Sequence, residues 1–263
     1  PYVYTARRPT VGSPDRLWPA GDVDDVTQPD DPLFASRRTR PRLVSIEAAA
    51  VAGIVCAIGW STSLRGLLSA PGIGASDAEI AEHYSDGSAG TTAIVWLQVL
   101  VVGTIAFLWF VGVIRGRLGD REPRLFGTVF LGSSILLAAL VFVGAALLTA
   151  PAVLVAVGDR MPDPDAVAIT RAGAAVVLSV FAPRIATLVM FSTAGLGRAT
   201  GALPTWLVWL TYVIGVVELV NVSIATPTVY VMPAWIALVS VVLLVRRPPH
   251  GFDLHAEAEE VPA

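Results

Sequence analysis

LFGTVFLGSSILLAALVFVGAALLTA, residues Leu125–Ala150, runs for twenty-six positions without one charged side chain. At a rise of about 1.5 Å per residue a helix of this length exceeds the roughly 30 Å hydrocarbon core of a bilayer. Hydrocarbon offers no partner to a backbone amide, so a helix, which satisfies its own, is the expected way across. Working outward from this segment, five more apolar stretches follow the same pattern: Leu43–Leu64, Thr91–Ile114, Ala166–Ala194, Leu203–Ala225 and Val229–Val245. The sequence therefore predicts an all-α polytopic membrane protein, a bundle of six transmembrane helices with short loops over residues 43–247.

Composition agrees. Of the 263 residues 54% are hydrophobic and only 15% charged, with a mean hydropathy of +0.68, which places the chain in the membrane class. All eighteen basic residues are arginine. Together with abundant alanine, valine and glycine, this suggests a GC-rich genome. Cys56 is the single cysteine, so an intrachain disulfide is impossible and a cysteine cage for a metal would need other chains. The polar start of the chain is unlike a signal peptide, which leaves insertion to the first apolar helix.

The arginines set the orientation. Arg37, Arg38, Arg40 and Arg42 precede the first stretch, and Arg115, Arg117, Arg121 and Arg124 follow the second. Arg198 lies between the fourth and fifth, and Arg246 and Arg247 follow the sixth. The opposite side has Arg65, Arg160 and Arg171 among seven acids: Asp77, Glu79, Glu82, Asp86, Asp159, Asp163 and Asp165. The positive-inside bias predicts that both termini are cytoplasmic, in a bacterial inner membrane.

Residues 1–42 read as a cytoplasmic, extended arm rich in proline and aspartate, too polar to offset its own ordering entropy. Tyr2, Tyr4, Trp18 and Phe34 are spaced apolar anchors along it, suited to binding a partner. Residues 248–263 form an acidic cytoplasmic tail. In the first helix Ala49, Gly53 and Ala57 make a row of small residues that permits close helix approach. Ser76-Asp77-Ala78-Glu79 matches a capping box and predicts a short amphipathic helix ending near Asp86-Gly87. Asp163 and Pro164 open the fourth span as cap and first-turn proline. Trp206 and Trp209, with Trp235 near the other face, read as interfacial anchors. The chain has no internal repeat of the kind that marks many transporters.

One polar constellation falls inside the apolar segments. Arg184 lies about 20 Å from either flank of its span, and Glu218 falls at nearly the same depth on the next antiparallel helix. An intramembrane charge costs at least about 2.5–3.5 kcal/mol, so the two are expected within salt-bridge reach, with Gln98 and Asn221 able to join them. Pro183 also frees the carbonyl of Ser179 to accept from the guanidinium or a water. Three readings stand side by side: a structural bridge, a polar site for an anionic or protonatable ligand, and a contact with another subunit. Glu47 is expected to pair with Arg42 at the interface.

Other chemistries lack their residues. His83, His250 and His255 all lie outside the spans, which disfavours a haem or a histidine-bound metal in the bilayer. No nucleophile–base pair occurs at helical spacing, and no phosphate-binding glycine pattern follows a strand. No catalytic residue, metal or cofactor is therefore expected.

From Gly201 the chain runs Ala202-Leu203-Pro204-Thr205-Trp206-Leu207-Val208-Trp209-Leu210, with Gly215 beyond, and closes on a Trp235-containing helix ending at Arg246-Arg247. With the acidic outer helix and the Phe107–Trp109 stretch, this resembles a family of small six-helix membrane proteins of high-GC bacteria that has no assigned activity. The likeness spans residues 43–247 and leaves out the arm. Two functions are expected as alternatives. One is an accessory or scaffolding subunit of a larger membrane complex; the other is a small-molecule or proton-coupled carrier or ligand-binding protein that uses Arg184 and Glu218. The expected partners are the lipid bilayer and other membrane-protein subunits, not nucleic acid.

Overall fold

The computed structural model describes residues 46–118, 124–158, 160–221 and 226–246, apart from positions 86 and 202. The chain separates into two units, Pro1–Arg40 and Pro41–Ala263, and the described residues belong to the second. The arm anchors Tyr2, Tyr4, Trp18 and Phe34 and the tail 248–263 lie outside the described residues.

Every regular element among the described residues is helical. In chain order they are α1 (Ile46–Leu68), α2 (Asp77–Ser85), α3 (Ser88–Leu118), α4 (Arg124–Gly158), α5 (Pro164–Val176), α6 (Ala182–Thr200), α7 (Thr205–Val220) and α8 (Val231–Val245). A π-helical turn, Val177–Phe181, joins α5 to α6, and a 3₁₀ turn, Thr226–Tyr230, leads into α8. Among the described residues five helical segments are long and apolar enough to cross a membrane: Glu47–Leu68, Ser88–Arg115, Gly127–Gly158, Pro164–Ala199 and Pro227–Val245. The expected fifth span is shorter than its apolar run. Helix α7 stops at Val220, where Asn221 turns to an extended conformation with ψ 118°, so its sixteen residues reach only about 24 Å.

Side-chain chemistry explains the ends of these elements. At α2, the Ser76 amide donates to Glu79 Oε2 at 2.8 Å and the Glu79 amide donates to Ser76 Oγ at 3.3 Å, a reciprocal capping box. Asp163 accepts from the Asp165 amide at 2.9 Å, with Pro164 in the first turn of α5 where its missing N–H is harmless. Pro183 cannot donate to the turn before it, and that turn widens: the Ala182 amide reaches back to the carbonyl of Val177.

Helix α1 packs against both α3 and α8, while α4 lies between α3 and α6, and α7 leans on α6. The small row of α1 is used within the chain: Ala49 and Ala57 are buried, and a side chain at Gly53 would collide with Ser240 of α8 and Phe110 of α3. At the α1–α3 crossing a Cβ on Gly59 would sit 3.0 Å from Gly103 Cα. Only glycine at both positions lets the two backbones approach this closely.

Two tryptophans have a role the sequence reading did not give them. Trp60 and Trp235 are 1% and 2% exposed, and their indole N–H groups donate to Thr104 Oγ1 and Thr211 Oγ1, each at 3.0 Å. Trp235 is thus a core residue and not an interfacial anchor. A buried indole needs a partner for its one donor, and a threonine on the facing helix supplies it. Trp206 and Trp209 are exposed, as expected.

Candidate functional site

The polar groups inside the bundle gather on the bent α5–α6 segment and the elements it touches. Arg184, in the first turn of α6, is half-buried. Its Nη1 donates to the carbonyl of Val180 at 2.6 Å and its Nη2 to the carbonyl of Asn221 at 2.8 Å. The first acceptor belongs to the widened turn before Pro183, one residue beyond the Ser179 carbonyl that regular α-helical spacing predicts. The second is the C-terminal cap of α7. Carbonyls at a helix end lack intrahelical donors and carry partial negative charge, so a guanidinium there satisfies orphan acceptors and offsets its own burial.

The expected Arg184–Glu218 salt bridge is not formed. No ion pair within 4.0 Å joins them, although the guanidinium is near enough to act electrostatically on the carboxylate. The reason is geometric: α7 ends two residues after Glu218, and the carbonyl of its cap residue Asn221 takes the Nη2 donor in place of the side chain one turn below. Asn221 joins Arg184 as expected, through its main chain. Gln98 does not. It is exposed on α3, whose main packing partners are α1 and α4. Glu47 is exposed in the first turn of α1, and its expected partner Arg42 lies outside the described residues.

Glu218 itself is 5% exposed and borders a cavity of about 30 Å³. Trp60 and Leu64 of α1, Val141 of α4, Pro183 and Met190 of α6 and Met232 of α8 close most of the remaining wall. Among these Glu218 is the charged member. The space admits water or a proton carrier of similar size; organic ligands occupy pockets of roughly 300–1,000 Å³. Beside it, Thr187 of α6 donates to the Gly215 carbonyl of α7 at 3.2 Å, a second polar tie between these helices.

A second arginine, which the sequence sets on the acidic side with Arg65 and Arg160, is drawn into the packing. Arg171 is 5% exposed in α5, and its Nη1 donates to the carbonyl of Leu67, in the last turn of α1, at 2.9 Å. Both buried arginines therefore close the C-terminal end of a neighbouring helix. Above Arg171 lies α2, whose buried residues Ile80 and Tyr84 pack with Ala89, Ala152 and Val167. Burial raises the Tyr84 phenol above its ordinary pKa, and the neighbouring Arg171 offsets this in part, so Tyr84 is a neutral donor at physiological pH. His83 packs edge-on against the Tyr84 ring at 4.9 Å. Among the described residues no group of three or more histidine, cysteine or acidic side chains is placed to hold a metal.

A signal for Arg171 was present in the sequence. Val167, Arg171 and Ala174 share the buried face of α5 at spacings of four and three residues, as Ile80 and Tyr84 do on α2. Comparison with protein-family models, with curated proteins and with solved structures finds no match to this chain. The site is defined by its own residues alone.

Proposed function

We propose that this chain is a six-span protein of a bacterial inner membrane, with both termini in the cytoplasm, and serves as an accessory or scaffolding subunit of a larger membrane complex. The observation that carries this reading is the use made of the buried cations. Arg184 donates to the carbonyl of Val180 in the widened turn of its own segment and to that of Asn221 at the end of α7, and the space beside it is about 30 Å³, a brace more than a substrate site. The arm 1–42, with Tyr2, Tyr4, Trp18 and Phe34, supplies the partner-binding element, because its composition gives it no core of its own. In this reading α7 counts as the fifth of the six spans. Its early end is accommodated because the carbonyl of Asn221, the cap of the helix, meets Arg184. The arginine asymmetry supports the orientation. Reporter fusions at residues 85 and 255 test the topology: they should report opposite sides of the membrane.

Glu218 supports a second reading. A carboxylate bordering an internal cavity is the arrangement of a protonatable site, and it favours a proton-coupled carrier over one for organic solutes. If that reading holds, Glu218→Gln abolishes proton flux in sealed vesicles while leaving assembly intact.

A further inference from the structure

Arg171 leaves one edge of its guanidinium unused. Nη1 is engaged by Leu67, but Nε and Nη2, which lie side by side along the other edge of the planar group, make no hydrogen bond within 3.5 Å among the described residues. The Tyr84 hydroxyl, on a residue 2% exposed, makes none within that distance either, and its polar neighbour is the Arg171 guanidinium itself, met at longer hydrogen-bonding range. Phenol and guanidinium are close enough to act on one another electrostatically. Among the described residues no carboxylate lies within ion-pairing distance of Arg171.

Two parallel N–H groups on an arginine edge match the paired oxygens of a carboxylate or phosphate, and they recognise such groups in bidentate fashion. A buried cation whose free edge meets only a long contact to a neighbouring hydroxyl is under-satisfied, and an anion between the two groups would relieve it. We propose that Arg171 and Tyr84 form an oxyanion site at the α2 end of the bundle, with Nε and Nη2 as the fork and the Tyr84 hydroxyl as third donor. The ligand is a carboxylate or phosphate group. Its source is either a free small anion or the headgroup of a lipid, since this end of α5 lies near one end of an apolar span. The capping box of α2 holds Tyr84 over the site, and the bond to Leu67 fixes the guanidinium plane.

The test uses the full chain, purified in maltoside detergent and stripped of lipid. Inorganic phosphate and acetate are titrated against sodium chloride at matched ionic strength while the thermal midpoint is followed. The site predicts a rise in midpoint with one of the two oxyanions, and Tyr84→Phe should require roughly five- to tenfold more of it, the effect of one lost hydrogen bond. In a second arm the protein is reconstituted with phosphatidic acid, and native mass spectrometry records retained lipid. Retention by the wild type but not by Tyr84→Phe, with no response to free oxyanions, assigns the site to a headgroup. Arg171→Gln should lose either response. Tyr84→Phe keeps the test valid if that variant does not fold. A stable wild-type protein that responds to neither oxyanion and retains lipid no better than Tyr84→Phe would overturn the proposal.

Discussion

Arg184 donates to the main-chain carbonyl of Asn221 at 2.8 Å, and so closes the end of α7 instead of pairing with Glu218 one turn earlier. The bundle thereby solves two problems with one side chain: it satisfies a half-buried cation, and it gives the backbone a donor where a helix ends early.

Removing this brace should be costlier than removing the acid. Arg184→Gln is expected to destabilise the fold by about 1.5–3 kcal/mol, the range for hydrogen bonds to charged groups. Glu218→Gln should cost much less, and the double variant should show a coupling under about 1 kcal/mol. Reversible unfolding in mixed micelles measures all three. A loss of about 3–5 kcal/mol for Glu218→Gln, as in a broken buried ion pair, would restore the direct salt bridge.

The glycine contact between α1 and α3 gives an internally controlled prediction. Gly103→Val should destabilise by about 1–3 kcal/mol or more, because the new methyls meet Trp60 and Gly59 with no room to move. Gly112→Ala lies on the same helix with nothing within 4 Å, so it should be neutral or stabilising by up to about 1 kcal/mol. Equal effects of the two would contradict the close approach.

Most of the helix layout was legible in the sequence, because apolar run length and capping residues act locally. Ser76 with Glu79, and Asp163 with Pro164, fixed two helix starts. The end of α7 was not legible. Leu219-Val220-Asn221-Val222 contains no proline or glycine, and the break depends on Arg184, thirty-seven residues earlier in the chain, accepting the role of donor to Asn221. The burial of Trp60, Trp235 and Arg171 was missed for a related reason. An amphipathic residue near the end of a span reads equally well as an anchor or as core, and only the facing threonine, or α2, decides which.

Replacing Ser76 by Ala should weaken α2 by about 1 kcal/mol. Hydrogen exchange over residues 77–85 should accelerate while α1 and α4 keep their protection. Unchanged exchange would show that packing of Ile80 and Tyr84 holds α2 without its cap.

Tyr84 also predicts a pH dependence. Its phenol has a raised pKa in the folded protein, so the folded state keeps its proton where the unfolded chain has begun to lose it. The associated stability is fully present below about pH 10, the unfolded value, and is lost as pH rises through the folded value. Alkaline unfolding should therefore steepen above about pH 10, and Tyr84→Phe should flatten that limb. A Tyr84→Phe profile parallel to the wild type would show that Tyr84 contributes nothing to it.

The central claim, a scaffold subunit tied to its partner through the arm, is tested most directly by the mass of the particle extracted in mild detergent from its native membrane. Native mass spectrometry should find the chain with at least one other membrane protein at fixed stoichiometry. Deletion of residues 1–42 should release it as a separate, still inserted chain. A full-length chain that emerges alone, with the same mass whether or not the arm is present, would contradict the account.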